Sequence, residues 1–316
     1  MQSVSQPCIT RDDIEQAANR IRGYVRETPV IWTEPGAFKI PSSLALKLEL
    51  LQITGSFKPR GAFNRILAPD GNRGIPESGI VAASGGNHGI AAAHAARRLG
   101  HRANIFVPSI SSGFKLDRLK ESGAFLHVVG ERYAESLAAS KEFARESGAL
   151  EVHAYDHPAV LAGAGTMAME FDRQAPELDT VLIACGGGGL IGGAAAWYAG
   201  RTKVIGVEPE HSRALHAALE AGRPVPVSVD GVAADSLGAA QVGGLMFPIA
   251  QAFVDRVVLV SDEDIIAAQK VLWSEMRLVA EPGGAAALAA IFSGHYKIAE
   301  GERVGVVVCG SNAVLG

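Results

Sequence analysis

The feature that most constrains this chain is a repeated alternation of short apolar strands and helices, joined by glycine-rich turns. Strands are predicted at Ile80–Ala83, Ala103–Val107 and 181–184, and a helical pattern follows each of them. Short, mostly apolar runs are typical of parallel strands that are covered on both faces. The alternation therefore predicts an α/β fold with open, mostly parallel sheets flanked by helices. Ligands of such folds bind beyond the carboxyl ends of the strands, where the glycine-rich turns lie.

The remaining elements are predicted in the same way. Thr10 and Asp13 have the spacing of a hydroxyl cap and a returning carboxylate, so the first helix begins there and ends near Gly23. Further strands are predicted at 43–50, 125–129, 150–153, 204–207, 257–260 and 304–308. Further helices are predicted from Lys58 onwards, at 89–99, 112–122, 133–146 and 160–171, after the glycine run up to residue 198, and at 262–278 and 284–292.

Composition argues against several classes of protein. The 316 residues are 48% hydrophobic and 20% charged, which is ordinary for a globular protein. A net charge of −4 gives no basis for binding nucleic acid or an anionic membrane. The first seven residues lack the pattern of a signal peptide, so none is expected. Cys8, Cys185 and Cys309 are few and far apart, which favours reduced thiols in the cytoplasm over a disulfide framework.

Lys58 has an unusual setting for a lysine. It lies between Phe57 and Pro59 in a stretch flanked by glycines, and proline suits the first turn of a helix. Apolar cover lowers the pKa of an amine by desolvation, and a deprotonated amine can attack a carbonyl. Lys58 is therefore a candidate Schiff-base lysine at the start of a helix. The alternative is a solvated surface lysine.

A run of four glycines follows the strand at 181–184 and opens the next helix. Its members are Gly186, Gly187, Gly188 and Gly189. Without side chains, backbone N–H groups can converge on an anion at the helix N-terminus, which predicts a phosphate site. A tightly packed turn is one alternative. A dinucleotide site is another, because the run satisfies the spacing G-x-G-x-x-G and Glu208 lies about where the ribose-binding carboxylate is expected.

Polar side chains follow other predicted strands. The turn after Ile80–Ala83 contains Ser84, Asn87 and His88 and opens a helix, so it is a candidate cradle for a small carboxylate; helix capping is the alternative. The last strand leads to Cys309, whose thiol can face a ligand or simply be buried. Glu281 precedes the last helix, either as a cap that favours the helix dipole or as an acid of the site.

Lys58 and its neighbours, the turn at 84–89, the four glycines and the Cys-Gly-Ser-Asn stretch from Cys309 occur together in this order. The combination resembles the fold-type II pyridoxal-phosphate enzymes, in the serine/threonine dehydratase and serine racemase branch, over nearly the whole chain. The resemblance implies two open, twisted sheets with the active site in an interdomain cleft. It also implies a large cofactor-binding domain of residues 1–76 and 152–316, and a small mobile domain of residues 77–151 that closes on the substrate.

The resemblance assigns roles to the candidate residues. It implies that Lys58 carries pyridoxal 5′-phosphate and takes the α-proton of the substrate, while Phe57 packs against the cofactor ring. It implies that Asn87 bonds the 3′ oxygen of the cofactor, that Cys309 meets its pyridine nitrogen, and that the four glycines hold its phosphate. The residues implied to hold the substrate carboxylate are Ser84, Asn87 and His88.

Departures from the family pattern narrow these expectations. Racemases carry a serine where this chain has Gly85, and a glycine cannot take a proton, which argues against racemisation. Relatives that bind a divalent cation pair the equivalent of Glu208 with an aspartate where this chain has Ala214, which argues against a metal. Tyr155 replaces an asparagine near the cofactor. Asp235 replaces a small hydroxyl residue near the substrate pocket, where a carboxylate would repel hydroxyaspartate.

The resemblance implies an ammonia-lyase that acts on a small amino acid. The expected reaction is α,β-elimination on L-threonine, L-serine or a related 3-hydroxy amino acid, giving a 2-oxo acid and ammonia, in a cytoplasmic homodimer. Two alternatives keep the cofactor, namely serine racemisation and a β-replacement as in cysteine synthase relatives. An alternative of another class is a non-catalytic, dinucleotide-binding Rossmann protein.

Overall fold

The computed structural model describes residues 8–68 and 74–313. The strands are β1 (Val30–Trp32), β2 (Leu44–Lys47), β3 (Ile80–Ala83), β4 (Ala103–Val107), β5 (Ala124–Val128), β6 (Leu150–Glu151), β7 (Thr180–Ala184), β8 (Lys203–Pro209), β9 (Val254–Val260) and β10 (Val304–Val307). The helices are α1 (Arg11–Ile21), α2 (Lys58–Leu67), α3 (Asn87–Arg98), α4 (Gly113–Glu121), α5 (Tyr133–Ser147), α6 (Pro158–Gln174), α7 (Gly189–Tyr198), α8 (Ala214–Ala221), α9 (Ala234–Leu237), α10 (Phe247–Phe253), α11 (Asp262–Met276) and α12 (Pro282–Phe292). Within the described ranges, no helix is both long and apolar enough to cross a bilayer. The first seven residues, where no signal peptide is expected, lie outside these ranges.

The strands form two sheets. The larger sheet has the order β1-β2-β10-β7-β8-β9, and the smaller sheet has the order β5-β4-β3-β6. Strand β1 is antiparallel to β2, and the other pairings described are parallel. Helices α7 and α12 both pack against β7 and β8. The predicted α/β fold with helix-flanked parallel sheets is confirmed.

Most of the predicted elements are confirmed to within a few residues. The strand expected at 43–50 is shorter and ends at Lys47, because residues 49–51 form a 3₁₀ turn. Strand β1 and helices α8, α9 and α10 were not predicted. They contain three, eight, four and seven residues. Such segments are too short for the spacing of their apolar residues to indicate a strand or a helix.

The smaller sheet takes all its strands from residues 80–151. Its apolar core also contains Phe63 and Ile66 of α2, which cluster with Ile90 and Ile105. Helix α2 is therefore shared between the two sheets, because its first residues lie at the end of β10. The division into domains at residues 76 and 152 stays a prediction.

Glycines let α6 touch α2 and α7 closely. A Cβ on Gly163 would lie 2.4 Å from the carbonyl oxygen of Arg60, and one on Gly193 would lie 2.5 Å from the carbonyl oxygen of Leu161. Any larger residue would force these helices apart. Helix α6 thereby ties the helix that begins at Lys58 to the helix that follows the glycine run.

A buried ionic cluster fixes the first turn of α2. Arg60 donates to both carboxylate oxygens of Glu49, at 2.7 and 2.8 Å, and to Glu170 at 3.0 Å. Lys47 donates to Glu170 at 2.5 Å. Burial acts to raise the pKa of Glu49, but the charge and hydrogen bonds of Arg60, together with Lys47 and Thr28, outweigh burial and hold the pKa below its usual value. Since Arg60 lies two residues after Lys58, the cluster sets the position of Lys58.

We expect Arg60→Met to lower the free energy of unfolding by about 3–5 kcal/mol, because it leaves the Glu49 carboxylate buried without its partner. Denaturant titration measures the effect. The lowered pKa of Glu49 contributes stability that is present above the ordinary glutamate pKa and is lost as the pH falls through the lowered value, so the cost of the substitution should shrink as the pH falls below about 4.

Arg145→Met is the matched control for this experiment. Arg145 is exposed and pairs with Glu142 on the surface of α5, where ion pairs contribute little to stability. Equal losses of stability in the two variants would contradict the role given to the buried cluster.

Candidate active site

Lys58 lies where the start of α2 meets the end of β10. The backbone N–H of Phe57 donates to the carbonyl oxygen of Cys309 at 3.1 Å, which ties the helix start to the last strand. Lys58 Nζ donates to the carbonyl oxygen of Ala154 at 3.0 Å and lies 5.0 Å from the centroid of the Phe57 ring. The lysine thus begins a helix beside an aromatic ring, as the sequence predicts.

Desolvation dominates the titration of Lys58. It lowers the pKa of the amine to about 8, although Cys309 and Glu281 act in the opposite direction. Lys47 is buried against the carboxylate of Glu170, whereas the amine of Lys58 is held by a neutral carbonyl. An amine with this pKa is partly deprotonated near neutral pH, which is the property that a Schiff-base lysine needs.

The four glycines are closely packed. A Cβ on Gly187 would lie 2.3 Å from the ring of Tyr155, and one on Gly186 would lie 2.9 Å from the carbonyl oxygen of Leu237. Gly188 has a φ of +93°, and a Cβ there would lie 2.5 Å from the Met246 side chain. Tight packing, one of the alternatives for this run, is therefore sufficient to explain why side chains are missing.

The same run leads into a helix N-terminus. Helix α7 begins at Gly189, and the first N–H groups of a helix have no partner within the helix. Tyr155 packs against Gly187, while its neighbour Ala154 accepts the hydrogen bond from Lys58. The glycine run and the lysine therefore contact the same segment of chain. A helix N-terminus close to an amine suits a phosphate, and close packing of the glycines does not conflict with this use.

The turn before α3 brings Ser84 and Asn87 into hydrogen bonds. The residue that caps α3 is Gly86, so side-chain capping is not the function of this turn. Ser84 Oγ accepts the backbone N–H of Gly86 at 3.2 Å. Asn87 Nδ2 donates to Glu281 at 2.6 Å, and Asn87 Oδ1 accepts from Asn312 at 2.6 Å.

His88 is held by the backbone behind it. Its Nε2 lies 2.7 Å from the carbonyl oxygen of Val152, so Nε2 carries the proton and donates. Burial, aided by the charge of Lys58, lowers the pKa of His88 to about 3, which keeps the ring neutral. Nδ1 is then an acceptor and cannot hold a carboxylate. We therefore assign any contribution of His88 to the carboxylate cradle to its backbone N–H.

Cys309 and Glu281 lie together at the end of β10. Cys309 is buried, and its Sγ donates to the carbonyl oxygen of Gly283 at 3.3 Å. Burial, reinforced by the charge of Glu281, raises the pKa of this thiol well above its usual value, so the thiol is neutral. Burial also raises the pKa of Glu281 to about 7. The Glu281 carboxylate accepts a hydrogen bond from Asn87. Of the two interpretations, a helix cap or an acid of the site, this contact favours the acid of the site.

Glu208 and Asp235 bond groups outside the cluster around Lys58. The two oxygens of Glu208 accept the backbone N–H groups of Leu215 and His216, each at 2.8 Å, at the start of α8. Among residues 8–68 and 74–313, no group of three potential metal-ligating acidic, histidine or cysteine side chains is found. Asp235 is exposed and pairs with Lys115 of α4 at 2.8 Å.

Sequence reasoning missed the contact made by Arg118. This residue of α4 donates to Asn312 Oδ1 at 2.6 Å, across 194 positions of chain. Nothing marks Arg118 among the charged residues of α4. Asn312 carried a weak signal, because it stands three residues after Cys309 at the end of the last strand.

Comparison with known proteins gives one consistent result. The family described as "Pyridoxal-phosphate dependent enzyme" matches residues 21–310. A phenylserine dehydratase of Ralstonia pickettii is 35% identical over 93% of this chain and 90% of its own length. An L-threonine ammonia-lyase of Thermotoga maritima is 33% identical over 96% of this chain and 76% of its own length. The solved structure of maize serine racemase is 31% identical and superposes with a TM-score of 0.92, covering 98% of this chain and 95% of that one.

The residues at this site fit pyridoxal phosphate. The amine of Lys58 suits an aldehyde, since its pKa of about 8 leaves part of it uncharged at neutral pH. The N-terminus of α7 suits a phosphate, and the neutral thiol of Cys309 suits an uncharged ring nitrogen. The match favours this cofactor over the dinucleotide that the glycine spacing left open.

We expect Lys58 of the cofactor-free protein to reach its full reactivity towards an amine-reactive reagent at a lower pH than surface lysines do. Its pKa of about 8 means that the amine is protonated and unreactive below that pH and deprotonated above it. Surface lysines should continue to gain reactivity up to about pH 10. Pulse labelling followed by peptide mass spectrometry measures both. A Lys58 profile that coincides with the surface lysines would contradict the desolvated setting.

We expect a pair of variants to separate packing from phosphate binding at Gly187. Gly187→Ala places a methyl group against the Tyr155 ring and should lower both thermal stability and cofactor affinity. Adding Tyr155→Ala removes the clash and should recover stability relative to the Tyr155→Ala variant alone. Cofactor affinity, measured by titration of the cofactor-free protein, should stay weak because the methyl group still hinders approach to the backbone. Full recovery of affinity in the double variant would show that Gly187 serves packing alone.

Proposed function

The chain belongs to the family of pyridoxal-phosphate-dependent enzymes, and we propose that within it the chain is a dehydratase of 3-hydroxy amino acids. The substrates proposed are L-threonine, L-serine or a close relative, and the products are a 2-oxo acid and ammonia. The observation that carries this proposal is the amine of Lys58, desolvated to a pKa of about 8, next to a glycine-lined helix N-terminus. The names of the phenylserine dehydratase and the L-threonine ammonia-lyase among its relatives support the same reaction type.

When bound, pyridoxal phosphate supplies a carbonyl that captures the substrate amine and a ring that stabilises negative charge at the α-carbon. Lys58 is the base that takes the α-proton, and its pKa of about 8 lets it accept and release a proton near neutral pH. Loss of that proton and of the β-hydroxyl amounts to the loss of one water. Addition of one water to the released enamine then yields the 2-oxo acid and ammonia.

The substrate carboxylate is held by the turn before α3 in this proposal. Ser84 and the first N–H groups of α3 are positioned there, and a helix N-terminus attracts an anion. His88 contributes through its backbone N–H, because its ring is neutral and bound to Val152. The neutral thiol of Cys309 completes the site at the ring nitrogen without adding charge.

Racemisation is the second candidate, and one contact bears on it. Gly85 cannot act as a base, but a Cβ at that position would lie 3.4 Å from Ser111 Oγ. The hydroxyl of Ser111 therefore lies close to the position that the serine side chain of racemases would occupy. Chiral chromatography of serine after incubation, in the natural protein and in Ser111→Ala, decides whether this hydroxyl supports any formation of D-serine.

Closure, assembly and location belong to the same proposal. We propose that residues 77–151 close over the substrate, supported by the ion pair between Lys115 and Asp235 at the boundary between the two sheets.

We propose a homodimer because Ile31 and Trp32 lie on the edge strand β1 and are 37% and 43% exposed. Three free cysteines support a cytoplasmic location. Analytical ultracentrifugation tests the dimer, and a monomer at micromolar concentration would rule it out.

We expect the purified, cofactor-loaded protein to release ammonia and a 2-oxo acid from L-threonine or L-serine as the only added substrate. Lys58→Ala should abolish the reaction and remove the visible absorption of the lysine-bound cofactor, because both depend on the amine. Coupled dehydrogenase assays for the 2-oxo acid measure the activity. Lys120→Ala is the matched control, since Lys120 is an exposed lysine paired with Asp117, and it should leave both properties intact.

A β-replacement enzyme would behave differently in the same assay. With L-serine alone it would give little pyruvate, and addition of sulfide would give cysteine. A protein that binds the cofactor through Lys58 but needs sulfide for turnover would overturn the proposed elimination and leave the family membership intact.

A further inference from the structure

A row of four polar side chains runs from α4 through the first residue of α3 to the residue before α12. Arg118 donates to Asn312 Oδ1, Asn312 Nδ2 donates to Asn87 Oδ1, and Asn87 Nδ2 donates to Glu281 Oε1, each at 2.6 Å. We refer to Arg118, Asn312, Asn87 and Glu281 as the polar row. It runs between the two sheets, because α4 packs against β5 of the smaller sheet and Asn312 follows β10 of the larger one.

The polar row has a fixed direction because its two ends differ chemically. A guanidinium can only donate hydrogen bonds, and an ionised carboxylate can only accept them. Arg118 therefore draws the oxygen of the Asn312 amide towards itself, and the carbonyl oxygen of Thr54, which accepts from Asn312 Nδ2 at 2.9 Å, favours the same orientation. The Asn312 nitrogen is thereby turned towards Asn87. Asn87 then presents its oxygen to Asn312 and its nitrogen to Glu281. Without such partners the terminal torsion of an asparagine is broad, and the amide can turn over.

One N–H of Asn87 remains for a ligand. Nδ2 carries two hydrogens, and Glu281 uses one of them. The family resemblance places Asn87 at the 3′ oxygen of the cofactor, which is a hydrogen-bond acceptor. The orientation of the amide therefore decides whether Asn87 attracts this oxygen through its nitrogen or repels it through its own oxygen.

We propose that Arg118 is a positioning residue that keeps the Asn87 nitrogen directed at the cofactor, and that it acts only while α4 lies against the end of β10. The proposal rests on the cofactor assignment made above and adds a link between domain closure and the cofactor's electronic state. A change in the position of α4 removes the donor at one end of the polar row. The orientation of Asn312, and through it that of Asn87 on another helix, is then held only by the Thr54 carbonyl and by Glu281.

The charges around Glu281 agree with this arrangement. Burial raises the pKa of Glu281 to about 7, while Asn87, Arg118 and Lys58 act to lower it. The neutral thiol of Cys309 is also close by. Arg118 thus favours the ionised, purely accepting form of the carboxylate, which is the form that holds the Asn87 nitrogen in place.

Helix α4 offers a matched control one turn before Arg118. Lys115 also contacts the other side of the boundary, through Asp235 at 2.8 Å, but Asp235 is 79% exposed and bonds no member of the polar row. A variant of Lys115 removes one exposed ion pair of α4, while Arg118 keeps its own hydrogen bond to Asn312. It therefore separates the loss of any contact of α4 from the loss of the contact made by Arg118.

The experiment compares four variants of the cofactor-loaded protein without substrate, namely Arg118→Met, Arg118→Lys, Asn312→Asp and Lys115→Gln. Two quantities are measured, the visible absorption spectrum of the lysine-bound cofactor and the dissociation constant of the cofactor. Arg118→Met has no donor and should weaken cofactor binding about tenfold, as expected for one lost hydrogen bond, and shift intensity from the visible band to the near ultraviolet. Arg118→Lys keeps a donor and should stay close to the natural protein, as should Lys115→Gln.

Asn312→Asp distinguishes positioning from simple tethering. A carboxylate at this position strengthens the contact with Arg118 but removes the N–H groups that Asn87 Oδ1 and the Thr54 carbonyl accept, so the spectrum should change as in Arg118→Met. An unchanged spectrum and affinity in both Arg118→Met and Asn312→Asp would overturn the proposal, as would an equal change in Lys115→Gln. If Arg118→Met does not fold, Asn312→Asp alone decides between these outcomes. Failure of the cofactor assignment is recognised separately, because the natural protein would then lack the visible band.

Discussion

The protein around Lys58 keeps its amine from water, and this desolvation lowers the pKa to about 8 against the opposing influence of Cys309 and Glu281. The rest of the site depends on that effect, because a fully protonated amine could neither bond a carbonyl carbon nor take a proton from the substrate. The fold secures it from two sides. Phe57 provides an apolar face, and Arg60 anchors the same helix turn to Glu49 in the large-sheet core.

Close approach of backbones is the second condition for this site. The glycine run before α7, and Gly163 and Gly193 at the crossings of α6, all stand where a Cβ would meet another atom at less than 3.0 Å. These contacts bring the N-terminus of α7 and the start of α2 against one segment around Ala154 and Tyr155. Packing and ligand binding thus make the same demand for glycine, so a glycine run alone does not reveal which of the two it serves.

The sequence was informative where function depends on local chain geometry. The parallel strands, the helix that starts at Lys58 and the helix that starts after the glycines all follow from patterns within about ten residues. It was uninformative where function depends on contacts between distant segments. The pairing of Asn87 with Glu281 and that of Arg118 with Asn312 each span 194 positions, and helix α4 shows no pattern that marks Arg118. The role of His88 could not be predicted from the sequence for the same reason. Only the hydrogen bond from its ring to Val152 shows that the ring cannot hold a carboxylate.

The most direct test of the central claim is reduction of the purified protein with borohydride, followed by mass spectrometry of its peptides. The account predicts a reduced cofactor adduct on the peptide that contains Lys58. Lys47 is buried but held in an ion pair with Glu170, so its peptide should carry none. An adduct on Lys47, or a protein that carries no adduct after incubation with pyridoxal phosphate, would contradict the account.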